Sequence, residues 1–260
     1  MDTQSRNLVV PRGKAFFARF LPGTQNPGPL RELGNCPELT LTAAATTLKN
    51  YSSQAGLQVL DEEIPITTAL NGTVQTNDMR PENVSYWFMG AVSTISATAL
   101  TAQVETYLLV KAGDTFQVGR STANPTGARK LTNVEVTDGA PTTPATLVLG
   151  TDYEVDAELG LVTALLDAAK WVVNFDTLVS TRQQIAASVS QVEGELKFIS
   201  FNAFGEQADI TLPRVSLAPN GDMALVNDPE SPAWQTMGLT VTALKKGNLA
   251  LAYRDGRPAA

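Results

Sequence analysis

The sequence contains no histidine and only one cysteine, Cys36. Histidine titrates near neutrality and serves most often as acid, base or metal ligand. Without it, histidine-containing triads, zinc proteases and Cys–His nucleophiles are impossible. A single cysteine forms no intrachain disulfide, so an oxidised scaffold is excluded. The opening MDTQSRNLVV has no charged region followed by an apolar core, and we expect no secretory signal. No apolar run approaches the roughly 20 residues of a membrane helix, so no membrane partner is expected. Aromatic residues make up 7% and do not alternate with basic ones, which argues against a base-stacking nucleic-acid platform. No GxGxxG, P-loop, GxSxG, SxxK or EF-hand pattern occurs. No period of 20 to 50 residues marks a repeat protein.

What is present favours strands. The 260 residues are 43% hydrophobic and 17% charged, enough to bury a sizeable core. Thr, Val, Ala and Leu are plentiful, with Gly and Pro scattered between short alternating runs. The net charge is −7, the opposite of what phosphate neutralisation needs. It is unevenly spread: residues 1–37 hold five basic and two acidic side chains, net +3, leaving −10 on the remainder.

Gly13 to Phe20 reads as a short strand, followed by a breaker-rich loop with Pro22, Gly23, Pro27, Gly28 and Pro29. From Pro37 the pattern alternates, with Leu39, Leu41 and Ala43 on one side and Glu38, Thr40 and Thr42 on the other. Residues 45–58 are polar and read as a long loop between two strands, either a mobile surface segment or a functional one. Ile64, Ile66 and Leu70 mark the next strand, which Asn71-Gly72 turns or breaks. In NDMRPENVSYWFMG the period changes. Asp78 caps a helix with Pro81 in its first turn, and Val84, Trp87 and Phe88 form its apolar stripe. VETYLLV (104–110) is a strand. Residues 113–176 then have a different texture, with a hairpin around Gly160 and alternation at Trp171, Val173 and Phe175. We read 113–176 as a β-rich insertion and 1–112 with 177–260 as the main β domain. Farther on, Leu196, Phe198 and Phe204 alternate, and Pro213 signals an edge or bulge. Pro219-Asn220-Gly221-Asp222 signals a tight turn, Met237 to Ala243 is a strand, and the tail RDGRPAA frays.

Few residues suggest chemistry. Asp61, Glu62 and Glu63 are consecutive, and strand neighbours point to opposite faces, so a solvated face is a better reading than a metal site. Carboxylate pairs of the glycosidase kind do not stand out from chance among 26 acidic residues. Cys36 reads as a structural thiol. We expect no catalytic residues, metal or cofactor.

Residues 33–90, LGNCPELTLTAAATTLKNYSSQAGLQVLDEEIPITTALNGTVQTNDMRPENVSYWFMG, resemble the N-terminal half of phage major tail tube proteins. The shared features are Leu33 to Asn35, Tyr51 to Ser53, Glu62, a helix entered at Asn77 or Asp78, and Phe88 to Gly90. STANPTGARKLTNVEVT and GTDYEVDAELGLVTAL resemble the middle of such proteins from long-tailed phages. GELKFISFNAFGEQADITLPRVSLAPNGDMALV and WQTMGLTVTALKK resemble their closing strands. The resemblance covers about nine tenths of the chain and lies in the order and spacing of these segments.

It implies a mainly β fold, a β-sandwich or half-barrel with one short flanking helix and a β-rich insertion on the outer surface. It implies a homo-hexameric ring, stacked into a tube inside a virion tail assembled in host cytoplasm. Partners would be tail terminator, tape-measure and tail-tip proteins, with DNA passing the lumen without specific binding. By analogy, ring stacking falls to Thr46, Thr47, Leu48, Lys49, Asn50, Tyr51, Ser52, Ser53 and Gln54, with the N-terminal segment and C-terminal tail also bridging rings. Acidic lumen candidates are Glu38, Glu62, Glu63, Glu195 and Glu206. The insertion favours a non-contractile tail. The competing readings are a non-stacking β-rich virion module (tail-tip, capsid-decoration or carbohydrate-binding) and a histidine-free hydrolase.

Overall fold

A computed structural model of the protein describes residues 8–54, 56–188 and 190–257. The fold is mainly β, built from antiparallel sheets, with one short helix among the described residues. The elements in order are β1 (Gly13–Arg19), β2 (Arg31–Glu32), β3 (Glu38–Ser52), β4 (Val59–Thr76), α1 (Pro81–Trp87), β5 (Ala91–Ala97), β6 (Leu100–Val110), β7 (Thr115–Gln117) and β8 (Leu131–Thr137). Then follow β9 (Tyr153–Asp156), β10 (Leu161–Ala164), β11 (Ala168–Thr177), β12 (Ser180–Ala186), β13 (Val192–Ser200), β14 (Ala208–Asn220), β15 (Met237–Ala243) and β16 (Tyr253–Gly256).

Two compact units result. One joins Met1–Ser93 with Ile185–Ala260, and the other is Thr94–Gln184. The second unit is wider at both ends than the 113–176 expected from texture. The reason is strand pairing: β6 pairs along most of its length with β11, from Val110↔Ala168 to Leu100↔Thr177. It therefore belongs with the insertion, although its sequence is indistinguishable from a main-domain strand. β5 and β12, which carry the chain between the units, pair with each other.

The first unit is an eight-stranded sheet in the order β2-β1-β13-β14-β15-β4-β3, with β16 also on β14. Alternation along each strand sends one set of side chains to a common core. Phe17, Leu196, Leu212, Val215, Leu217, Leu239, Val241 and Val74 are fully or almost fully buried there. α1 lies on this face, and its Tyr86 ring meets Phe17 edge-on at 5.0 Å. The second unit has its own core around Trp171, Val173, Phe175, Val136 and Val162, so the expected alternation of β11 is present. Tyr153 packs edge-on against Trp171.

Several local expectations change. Asp78 does not cap the helix. Its Oδ1 accepts the Arg80 backbone N–H in a tight local turn, Arg80 is the N-cap without a side-chain cap bond, and Pro81 opens the helix. The buried helical residues are Asn83, Ser85 and Tyr86, while Val84, Trp87 and Phe88 are only half-buried. Asn83 is inside because its Nδ2 donates to the Leu33 and Asp78 carbonyls, which satisfies the buried amide. Asn71-Gly72 does not break β4. Gly72 lies in the ladder opposite Leu41 and Val241, where a Cβ would come 2.2 Å from the Thr40 carbonyl oxygen. Pro213 sits where the β13–β14 register shifts, between the Gly194↔Val215 and Leu196↔Leu212 pairs, as a residue without an N–H requires. Residues 219–222 do not close a tight hairpin: Pro219 and Asn220 continue β14 opposite Leu239 and Gly238. Phe204 is exposed rather than inward. Tyr253–Gly256 is strand, not frayed tail, and Arg257 is held by the Ser200 carbonyl and Asp209. The tail residues 258–260 lie outside the described residues.

Because Phe17 is fully buried between sheet and helix, Phe17→Ala should cost about 3–5 kcal/mol. Urea unfolding followed by circular dichroism checks this, and a loss under about 1 kcal/mol would contradict this core assignment.

Candidate functional site

The segment expected as a stacking loop is not a loop. Thr46 to Ser52 form the outer part of β3 and pair with β4 from Val59 to Thr67, leaving only residues 53–58 as the turn, of which Ala55 is outside the described residues. Its Thr, Lys and Asn residues look like loop because no described residue buries either face of this part of the hairpin, so no hydrophobic alternation is imposed. β15 accompanies β4 only from Asn71 to Thr76. From Leu70 outward to Val59, β4 has no second neighbour, and β3 has none on its outer side among the described residues. The result is a two-stranded arm of 12 β4 residues, about 40 Å long, with both backbone edges unpaired.

The arm is also apolar where water meets it. Leu48 is paired with Ile64 and Tyr51 with Leu60, and Leu48, Tyr51, Leu57, Val59, Leu60, Ile64 and Ile66 are all exposed, Leu57 to 83%. Register shifts at Thr46/Thr47 and Asn50/Tyr51 kink the ribbon. From Asn50 to Leu60 the sequence carries no charge. Lys49 and Glu63 face each other at 3.8 Å in an exposed pair, worth little to stability.

A second apolar surface sits at the opposite end of the same strands. The 221–236 excursion between β14 and β15 exposes Leu225, Val226 and Trp234, the last to 89%. The excursion is braced internally. Gln235 Nε2 donates to the Ala224 carbonyl at 2.7 Å, Asn227 Nδ2 to the Ala233 carbonyl, and the Glu230 N–H to Asp228 Oδ1 at 2.9 Å. No periodicity announces this surface. An apolar ALV and a Trp amid turn formers were the only available signal.

Over β3, β4 and β15 the sheet face away from α1 is polar, whereas β1 contributes Phe16 and the buried Ala18 to it. Register places Glu38, Thr40 and Thr42 there, opposite Gln75, Thr73 and Asn71, and continues through Thr240 and Thr242 on β15. Thr40 and Thr73 hydroxyls bond at 2.8 Å. Glu195 belongs to this face on β13, with β4, β15 and β14 between it and Glu38, about 19 Å across. The other three acidic candidates are elsewhere. Glu62 and Glu63 are on the arm, pointing to opposite sides, and Glu206 is in the β13–β14 turn, 3.7 Å from Arg254. The five are therefore not brought together, because one lies outside every strand and two lie beyond the body of the sheet. Two acids not singled out in the sequence, Glu32 and Glu193, also lie on this face. Each is ion-paired, Glu32 to Lys14 and Glu193 to Arg214 in a two-pronged contact at 2.9 and 3.0 Å.

No group of three or more potential metal ligands forms among the described residues. Cys36 is half-buried beside Gly34, to whose carbonyl its Sγ donates at 3.6 Å. Burial pushes its pKa up to about 11, with Glu32 and Asp78 adding to the rise. A raised pKa keeps the thiol protonated, so at pH 8 the thiolate should be roughly a hundredfold scarcer than for a free cysteine. Iodoacetamide labelling at pH 8 should be slower by about that factor in the folded protein than in urea. Equal rates would show that Cys36 is not shielded.

No helix among the described residues is long and apolar enough to cross a membrane. A search of curated proteins finds no match. A family model matches residues 9–250, the greater part of both units. The chain therefore belongs to the family described as Protein of unknown function UCP028589.

Proposed function

We propose that this protein is a structural subunit of a bacteriophage tail tube. Copies close into hexameric rings, and rings stack into a conduit through which DNA leaves the virion. It performs no chemistry. The observation that carries this reading is the β3–β4 arm, a ribbon with two open edges and exposed apolar side chains on a well-packed sheet. A two-stranded ribbon is at best marginally stable in water. An apolar one with free edges invites strand pairing with another chain. Stacking gives it a partner, since the arm reaches from one end of the sheet and the Leu225–Val226–Trp234 surface waits at the other. A contact between two different ends of identical copies does not close on itself and propagates as a filament. The uncharged Asn50–Leu60 tip meets the Asp222, Asp228 and Glu230 rim without like-charge repulsion.

The helix-free face is our choice for the bore. It is threonine-rich, and its acids Glu32 and Glu193 are paired with Lys14 and Arg214, while Glu38 and Glu195 have no ion-pair partner among the described residues. Lys197 lies next to Glu195 on this face, so a polyanion finds no continuous basic stripe there to bind. The second unit would decorate the outer wall, and a non-contractile tail suits a wall thickened in this way. Terminator, tape-measure and tail-tip proteins are the expected neighbours at the ends. A bridging role for the N-terminal segment falls largely on residues 1–7, outside the described residues.

Negative-stain microscopy of concentrated protein should show rings and tubes. Ile64→Asp should abolish the tubes and leave rings, while changing monomer stability by no more than about 0.5 kcal/mol, because Ile64 is exposed. Trp234→Asp should leave rings but stop stacking. Wild-type protein that remains monomeric at high concentration across salt conditions, without or with tail-tip extract as initiator, would overturn the reading.

A further inference from the structure

The second unit is acidic as a whole, with ten acidic and six basic residues, net −4. Yet all three of its arginines, Arg120, Arg129 and Arg182, line one cleft of about 440 Å³. That volume is in the usual range for small-molecule sites. Its lining also includes the apolar residues Ile95, Ala97 and Leu100.

The only carboxylate lining the cleft, Glu105, is occupied elsewhere. Its Oε1 accepts the Gly119 backbone N–H at 2.8 Å, and its Oε2 accepts the Tyr107 hydroxyl at 2.5 Å. Arg182 is fixed through one terminal nitrogen by Asn124 Oδ1, Thr126 Oγ1 and the Gly127 carbonyl. Arg129 is fixed by the Leu159 carbonyl and Gln117 Oε1. These acceptors are neutral, so they orient the guanidinium groups without cancelling their charge. Arg120 is exposed. Glu105 offsets one of the three positive charges, which leaves the lining a net charge of +2; the arginines repel one another, and an anion relieves that repulsion while accepting planar, forked hydrogen bonds.

We propose that this cleft binds a small organic anion, a carboxylate or phosphate monoester carried on a ring or short carbon skeleton. The charged group meets the three arginines and the skeleton lies on the apolar lining of Ile95, Ala97 and Leu100. The site is independent of the tube reading, because it lies wholly in residues 94–184.

The test is calorimetric titration of the full chain with glucuronate, glucose 6-phosphate, glucose and inorganic phosphate in separate runs. Either or both sugar anions should bind, and which one does so identifies the headgroup. Glucose should not bind, and inorganic phosphate should bind at least about tenfold more weakly than the better sugar anion, lacking the apolar contact. Arg120→Gln should weaken binding about tenfold, the loss of one charge-assisted contact. Because Arg120 is exposed, the variant should fold normally. Leu100→Glu, which sets a carboxylate on the apolar lining at an exposed position, should weaken it by at least as much. The proposal falls if neither sugar anion binds at 20 mM, if glucose binds as well as its anions, or if inorganic phosphate binds equally. It also falls if neither substitution changes affinity.

Discussion

Backbone hydrogen bonding governs this molecule. Every strand residue other than proline carries one N–H and one C=O, and each must find a partner or face water. β14 meets the requirement on both sides, with β13 along one edge and β15 followed by β16 along the other. The β3–β4 arm does not: two rows of peptide groups stay open over its outer length. Natural sheets blunt such edges with charge, proline or bulges. Here Pro65, the Lys49–Glu63 pair and two register shifts provide that protection, enough to discourage indiscriminate pairing of monomers. The apolar residues between them remain uncovered. That combination suits an edge meant for a particular partner.

Strands with one buried face were legible in the sequence, because burial imposes alternation. Leu39 and Leu41, Trp171 to Phe175, and Met237 to Val241 fall where their patterns place them. Pro213 was legible for a different reason, since a missing N–H admits few positions in a sheet. The arm was not legible. Its outer residues are buried against no described residue, so Thr46 to Gln54 carry no periodic signature, and polarity there imitates a loop. The helix stripe held at Trp87 and not at Val84 and Phe88, because α1 is too short for its period to govern burial. A hydrogen-bonded Asn83 and the aromatic Tyr86 go inward beside Trp87, which packs partly buried against the same core. The acidic candidates do not gather in one place, because alternation says which residues share a face but not which strands continue beyond the sheet body.

The two cores divide the labour that one sequence must perform. The first unit spends one face of its sheet on α1 and the Phe17–Tyr86 contact, leaving the other free of helices and polar over β3, β4 and β15. The second closes small sheets around Trp171 and keeps its arginines at the surface. On the proposed reading, the first unit must repeat faithfully from ring to ring, and an error in its register would be copied along the whole filament. The second unit carries no such burden. Its loops around residues 119–129 are held only by the cleft they line and by the unit's own core.

The chain enters the second unit on β5 and leaves on β12, and these two strands are paired. Entry and exit therefore lie side by side, so the main sheet experiences the whole excursion as little more than an elongated turn. A gene of this design can acquire, exchange or shed some ninety codons between residues 94 and 184 without relocating any strand of the larger sheet. On the proposed reading, variation in outer decoration is thereby uncoupled from the geometry on which self-assembly depends.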